Sequence, residues 1–160
     1  MQQSNGLVVH VVAPFHEDID WDDLESIKKH KTTVAYNRTK TMNRIIAAEM
    51  ARRYAGTISS VAFNPSFIID RNDSALNERW PRGFMGFFWR VMTLVAAKPP
   101  SVAGDPIADL VLSYPDRQEI NGALFKLGNR VMKRDKDMSD TASGQRLWQE
   151  SVRITGSTRE

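Results

Sequence analysis

Two β-branched runs on either side of one long helical repeat leave this chain few folds to choose from. Leu7 to Ala13 (L-V-V-H-V-V-A) is apolar but for His10, and Ile58 to Phe63 (I-S-S-V-A-F) ends at Asn64-Pro65. The first run reads as a strand buried on both faces, the kind that parallel sheets require. Between the two runs, Val34 to Tyr54 has helical periodicity, with Met42, Ile45, Ile46 and Met50 as its apolar stripe and Gly56 as its stop. Ala47 and Ala51 continue the face that starts at Tyr36 and Lys40, small enough for a cofactor or another helix to approach. Strand, helix and strand in this order make a β-α-β unit with a right-handed crossover and a parallel sheet. Ligands of open parallel sheets bind beyond the carboxyl ends of the strands, which here are Ala13-Pro14 and Asn64-Pro65.

The remaining stretches read more simply. Residues 14–33 are polar and acidic, with Asp18, Asp20, Asp22 and Asp23 around Trp21. They lack the glycine and closing glutamate of a calcium loop, so they read as a solvated loop leading into a short helix from Asp22 to His30. A loop with Asp70, Arg71, Asn72 and Asp73 precedes Trp80-Pro81 and the run Gly83 to Ala97, the most hydrophobic part of the chain. That run contains Arg90 and is shorter than the ~20 residues a membrane-spanning helix needs. It reads as a helix covering the sheet end or lining an apolar pocket. Lys98-Pro99-Pro100 breaks it, Asp105 to Ser113 is a further helix ended by Tyr114-Pro115, and Asn121 to Leu127 is a third strand opened by a turn. Arg130 to Asp137 reads as a mixed-charge surface loop without function. Asp140 is placed to cap a last helix carrying Leu147, Trp148, Val152 and Ile154, with Gly156 behind it.

Charge and composition exclude several classes. A net charge of +3 over 160 residues, with cations scattered among acids, gives no nucleic-acid footprint. The absence of cysteine excludes disulfides, zinc–thiolate sites and thiol catalysis. His10, His16 and His30 are too scattered to form a metal ligand set. The polar start, Met1 to Gly6, shows no basic segment followed by an apolar one, so a cytoplasmic location is the default expectation.

The chemistry-bearing feature is Tyr36-Asn37-Arg38-Thr39-Lys40, where a phenol and an ammonium share one helix face. A free tyrosine, with a pKa near 10, is a poor acid or base at neutral pH. An ammonium about 4 Å away favours the phenolate by roughly 4 kcal/mol at an effective dielectric near 20. That is about three pKa units, enough to bring a tyrosine into working range.

The strand, A-Y-N-R-T-K on a helix, then I-S-S-V-A-F-N-P-S-F-I-I-D resembles the C-terminal half of a short-chain dehydrogenase/reductase. P-P-S-V-A-G-D-P, I-N-G-A-L-F-K and R-L-W-Q-E-S-V-R-I-T-G look like the branch that holds retinol dehydrogenases and protochlorophyllide reductases. The resemblance implies an α/β fold, the C-terminal half of a doubly wound parallel (Rossmann-type) sheet with flanking helices, in a single partial domain over residues 1–160. It implies hydride transfer between NAD or NADP and a carbonyl/alcohol pair, with Tyr36 as general acid/base. Lys40 would lower the tyrosine pKa and hold the nicotinamide ribose. Pro65, Ser66, Ile68 and Asp70 would lie along the nicotinamide, with the Ile68 backbone meeting its carboxamide. Gly83 to Ala97 would cover a bulky apolar substrate, and the Tyr36 helix would pair copies into a homo-oligomer.

The sequence departs from that pattern in three places. The family's serine would fall near Val12-Ala13, where there is no hydroxyl; losing such a donor costs roughly 10²–10³-fold in rate. Pro65-Ser66 replaces Pro-Gly, and Asp70 stands where a threonine is usual. The glycine-rich turn that holds the pyrophosphate has no counterpart before residue 7, so the first strand is expected to be an open sheet edge. Weak cofactor binding by the chain alone and self-association follow as expectations. The rival reading is a non-catalytic interaction protein descended from such an enzyme.

Overall fold

In a computed structural model, the described residues are 6–70, 83–113, 119–127, 130–132 and 136–157. Strand β1 (Gly6–Val11) pairs in parallel with β2 (Ile58–Asn64), in a register that runs from Gly6 opposite Ile58 to Val11 opposite Phe63. β2 pairs in parallel with β3 (Leu124–Lys126), and β3 pairs antiparallel with β4 (Arg130–Met132). The sheet order is β1-β2-β3-β4, so the parallel three-stranded part carries the β-α-β unit and β1 forms an edge. β1 is only half-buried for that reason, not buried on both faces as its composition suggests.

Successive residues of β2 feed two different cores, as the pleat dictates. Ala62 packs with Val12, Leu124, Met138 and the small residues Ala47 and Ala48 of helix α1 (Thr32–Arg53). Val61 and Phe63 point the other way, onto Phe125, Ile120 and Leu110 of helix α3 (Ser101–Ser113). Ala47 and Ala51 are thus buried and bring α1 close to the sheet, while Met42, Ile46 and Met50 stay half-buried. α3 begins four residues before the expected Asp105, directly after Pro99-Pro100. The Tyr114-Pro115 stop and residues 71–82 lie outside the described residues.

Asn121 joins the layers: its amide donates to the Ala51 carbonyl at 2.9 Å and accepts from the Ser60 N–H at 2.9 Å. Gly122 follows it with φ +72, the left-handed turn conformation glycine supplies without strain. The last two helices are α4 (Lys136–Ser139) and α5 (Thr141–Thr155), which pack on α1. Asp140 caps α5 by accepting from Ser143 N–H at 3.0 Å, and Gly156 closes it at φ +64. Gly144 permits the close approach of α5 to α1, since a Cβ there would come within 2.6 Å of the Arg52 guanidinium.

Residues 22–30 contain no helix. The Asp23 carboxylate instead accepts the N–H groups of Ile27, Lys28 and Lys29, and Ser26 turns to φ +53. A side chain that satisfies three successive backbone donors offers the chain a better local arrangement than a helical turn. The whole segment is strapped to α1 by side chains three residues apart. Arg38 donates to the Asp18 carbonyl and the Ser26 hydroxyl, Thr41 accepts from Glu17 N–H, and Arg44 donates to the carbonyls of Ala13 and Phe15.

The hydrophobic run forms helix α2 (Phe84–Ala96) with an unexpected orientation. Its buried positions are the small residues Gly86, Thr93 and the adjoining Ala97; Trp89 and Met92 are half-buried, and Phe84, Phe87, Phe88, Val91, Leu94 and Val95 face solvent. No helix of the described residues is long and apolar enough to cross a membrane.

Candidate functional site

Tyr36 and Lys40 lie one turn apart near the start of α1, at the carboxyl end of β1. The Lys40 ammonium sits 5.7 Å from the centroid of the Tyr36 ring and donates to the Val11 carbonyl at 3.2 Å. The ammonium therefore lies over the ring face and is anchored to the last residue of β1. Tyr36 is 51% exposed, so its phenol is open to a ligand approaching beyond the strand end. Val12 and Ala13, at the place of a serine in the resemblance, are both buried.

The segment after β2 runs alongside. Ser66 takes φ +65, the left-handed conformation that a glycine at this position adopts freely, and its N–H donates to the Asn64 side chain at 2.9 Å. Ile68 forms a parallel bridge with Lys98, through the Phe67 carbonyl and the Ile69 N–H. In such a bridge the central residue's own N–H and C=O point to the opposite side. The Ile68 backbone groups are thus directed away from Lys98. Pro65 is half-buried and Asp70 is exposed. The structure therefore joins Tyr36 to Lys40 directly, and keeps Pro65, Ser66, Ile68 and Asp70 on one separate stretch beyond β2.

A second cluster was not legible in the sequence. Asp137, assigned there to a surface loop, is buried on α4 and accepts from Arg44 Nη2 at 2.6 Å, with His16 Nδ1 at 3.0 Å from the same carboxylate oxygen. His16 Nε2 lies 3.2 Å from Asp18. These groups come from positions 16, 44 and 137, with no spacing to mark them. His16 and Asp137 border a cleft of about 460 Å³, together with Trp21, Asp140 and Ser143, and its lining does not include Tyr36 or Lys40. Among the described residues no group of three or more acidic or histidine side chains is arranged to hold a metal ion.

The cluster sets a pH dependence. Burial pushes the Asp137 carboxyl up, but the hydrogen bonds and charges of Arg44 and His16 hold it below its ordinary value of 3.8. The hydrogen bond to Asp137 raises His16 above 6.5 despite some burial. Asp137's contribution is present above 3.8 and lost as pH falls through its lowered pKa. His16's is present below 6.5 and lost as pH rises through its raised pKa. His10, whose Nε2 is buried without a partner, is lowered by burial and acts in the opposite sense, losing its contribution below 6.5. The stability difference between the parent and His16→Asn, measured by urea unfolding, is therefore expected to be widest between pH 3.8 and 6.5 and to close as pH rises further. The difference cancels the His10 contribution, which both proteins share.

No protein-family model and no curated protein matches this chain. Among solved structures it is similar to the crystal structure of an uncharacterized protein from Mycobacterium paratuberculosis, at 16% identity and a TM-score of 0.55. The match covers 96% of this chain and 51% of that one, so this chain spans about half the length of that structure. At this identity the likeness is one of fold: a mixed α/β arrangement with parallel strands and flanking helices.

Proposed function

We propose that this chain carries the catalytic-tyrosine half of a short-chain oxidoreductase, with the C-terminal half of a doubly wound sheet as its frame. The observation that carries the reading is Lys40, anchored at 3.2 Å to the carboxyl end of β1 one turn from an open Tyr36. That is the place where open parallel sheets bind ligands. The left-handed Ser66 and the outward Ile68 backbone add support, since they offer a turn and a free donor–acceptor pair beside the next strand end.

In this reading Tyr36 gives a proton to, or takes it from, the oxygen of a bulky apolar carbonyl or alcohol. Lys40 keeps a positive charge at the phenol and meets the nicotinamide ribose, and Ile68 orients the carboxamide. NAD or NADP supplies the hydride. The residues fit the nicotinamide end of such a cofactor only: α1 starts at Thr32 after Lys31, without a glycine-rich turn to cradle a pyrophosphate. The burial of Val12 and Ala13, with no hydroxyl at either, favours a second reading, a non-catalytic interaction protein that keeps this frame.

The two are separated by incubating the protein with a bulky aromatic ketone and millimolar NADH or NADPH. Alcohol formation that disappears in Tyr36→Phe supports the oxidoreductase. Turnover that survives the substitution, or none in the parent, hands the fold to the interaction reading.

A further inference from the structure

The outward face of α2 is the largest apolar feature of the described surface that the proposed chemistry leaves unexplained. Phe84, Phe87, Phe88, Val91, Leu94 and Val95 recur at helical spacing and form one stripe. Phe84 is 83%, Leu94 70% and Val95 80% exposed, while Gly86, Thr93 and Ala97 face the body. A helix that buries small residues and exposes phenylalanines has reversed the usual amphipathic order.

The area of the stripe points to its occupant. With aromatic side chains of 150–250 Å² each, and their present exposure, the six residues offer roughly 600 Å² of apolar surface. That is at the upper limit of the ≈ 300–600 Å² patch a monomer ordinarily shows. It is also most of the ≈ 800 Å² per partner that a stable interface buries. The stripe is self-complementary as well: its first half is aromatic and its second half aliphatic. Laid antiparallel on itself, it sets Phe84, Phe87 and Phe88 of one copy against Val91, Leu94 and Val95 of the other.

Other occupants fit less well. An interfacial membrane helix carries several basic residues on its polar face, and Arg90 is the one basic residue in 84–96. A small substrate is enclosed by concave surface, whereas this is a convex ridge about 17 Å long. α1, the pairing surface expected from the resemblance, presents Tyr36 as its exposed large hydrophobic residue, with Met42, Ile46 and Met50 half-covered.

We propose that the outward face of α2 is the seat of a second copy of this chain, packed antiparallel about a two-fold axis. The proposal does not rest on the oxidoreductase reading. It places the dimer on the helix that the resemblance assigns to substrate covering, so the two α2 helices support each other.

Sedimentation velocity of the full chain at tens of micromolar tests it. The expected species has twice the 18.1 kDa chain mass. Phe87→Glu/Leu94→Glu should be monomeric with an unchanged far-UV spectrum, and Phe84→Glu/Val95→Glu, at the other positions of the stripe, should behave alike. Val11→Lys on the open β1 edge should leave the dimer intact. A monomeric parent overturns the proposal, as does a dimer that survives both double variants or one that only Val11→Lys dissociates. A monomeric parent that co-sediments with phosphatidylcholine/phosphatidylserine vesicles assigns the stripe to lipid and equally overturns it.

Discussion

Arg44→Met is expected to destabilise the fold by about 3–5 kcal/mol, the loss typical when one partner of a buried ion pair is removed. The guanidinium is nearly inaccessible, and it donates to the carbonyls of Ala13 and Phe15 as well as to Asp137 at 2.6 Å. Methionine fills much of the same volume but donates to none of them. Asp137, itself buried, is then left with His16, whose side chain is partly exposed. Against a typical domain stability of about 5–15 kcal/mol the loss is a large part of the whole. Urea unfolding at two pH values gives the measurement and its internal check. Below pH 6.5 a protonated His16 still faces Asp137, so the loss should be smaller there than at higher pH. Removing both charges, in Arg44→Met/Asp137→Leu, should recover the part due to the uncompensated carboxylate, while the Ala13 and Phe15 carbonyls still lack their donor. If Arg44→Met unfolds at the parent's midpoint, the cluster contributes nothing net and the loop has another anchor.

The largest effect on chemistry is expected at Tyr36 and Ala13. Tyr36→Phe keeps the ring beneath the Lys40 ammonium and removes the one proton the proposed reaction can use, so turnover of a bulky aromatic ketone should vanish while the unfolding midpoint stays in place. Lys40→Met removes the charge over the ring and the bond to Val11. It should slow the reaction, because the charge beside the proposed proton donor and the anchor to β1 are lost together. Ala13→Ser, or Val12→Ser if the register is off by one, works in the other direction. A hydroxyl just past the end of β1, where the resemblance places a serine, adds a donor for the substrate oxygen and should raise kcat by roughly 10²–10³-fold. A rate unchanged by Ala13→Ser, in a variant that folds normally, would show that position 13 does not face the reacting oxygen.

The parts of the fold visible in the sequence were those fixed by local pattern. β-Branched runs at 7–13 and 58–63 marked two parallel strands, and the periodicity of 34–54 marked the helix between them. Asp140 and Gly156 marked both ends of the last helix, because capping depends on a single side chain or a single φ. Local pattern did not disclose what depends on distant partners. Asp137 looked like one more charge in a charged run until Arg44 and His16 met it. Residues 22–30 had helical composition, but the Asp23 carboxylate outcompeted the helix for its own N–H groups. The run at 83–97 was rightly apolar, yet composition alone does not say which side of a helix faces inward. At the candidate site, Tyr36 and Lys40 were found through i, i+4 spacing. The anchorage of Lys40 on Val11 was not, since it spans the crossover.

The three side chains that strap residues 13–26 to α1 also decide how that segment moves. Arg38, Thr41 and Arg44 occupy successive turns of one helix, so the segment is gripped at several points along a single rigid rod. A surface stretch without regular structure ordinarily exchanges its amides through small independent openings of near-zero cost. Here it cannot peel away without breaking the hydrogen bonds of all three side chains, and α1 cannot unwind through residues 38–44 without releasing it. The two are coupled, with Lys40 between the gripped positions and Tyr36 two residues before the first of them. The order of the candidate site is therefore shared between the Lys40 anchor on β1 and a loop that lies outside the strand pairing.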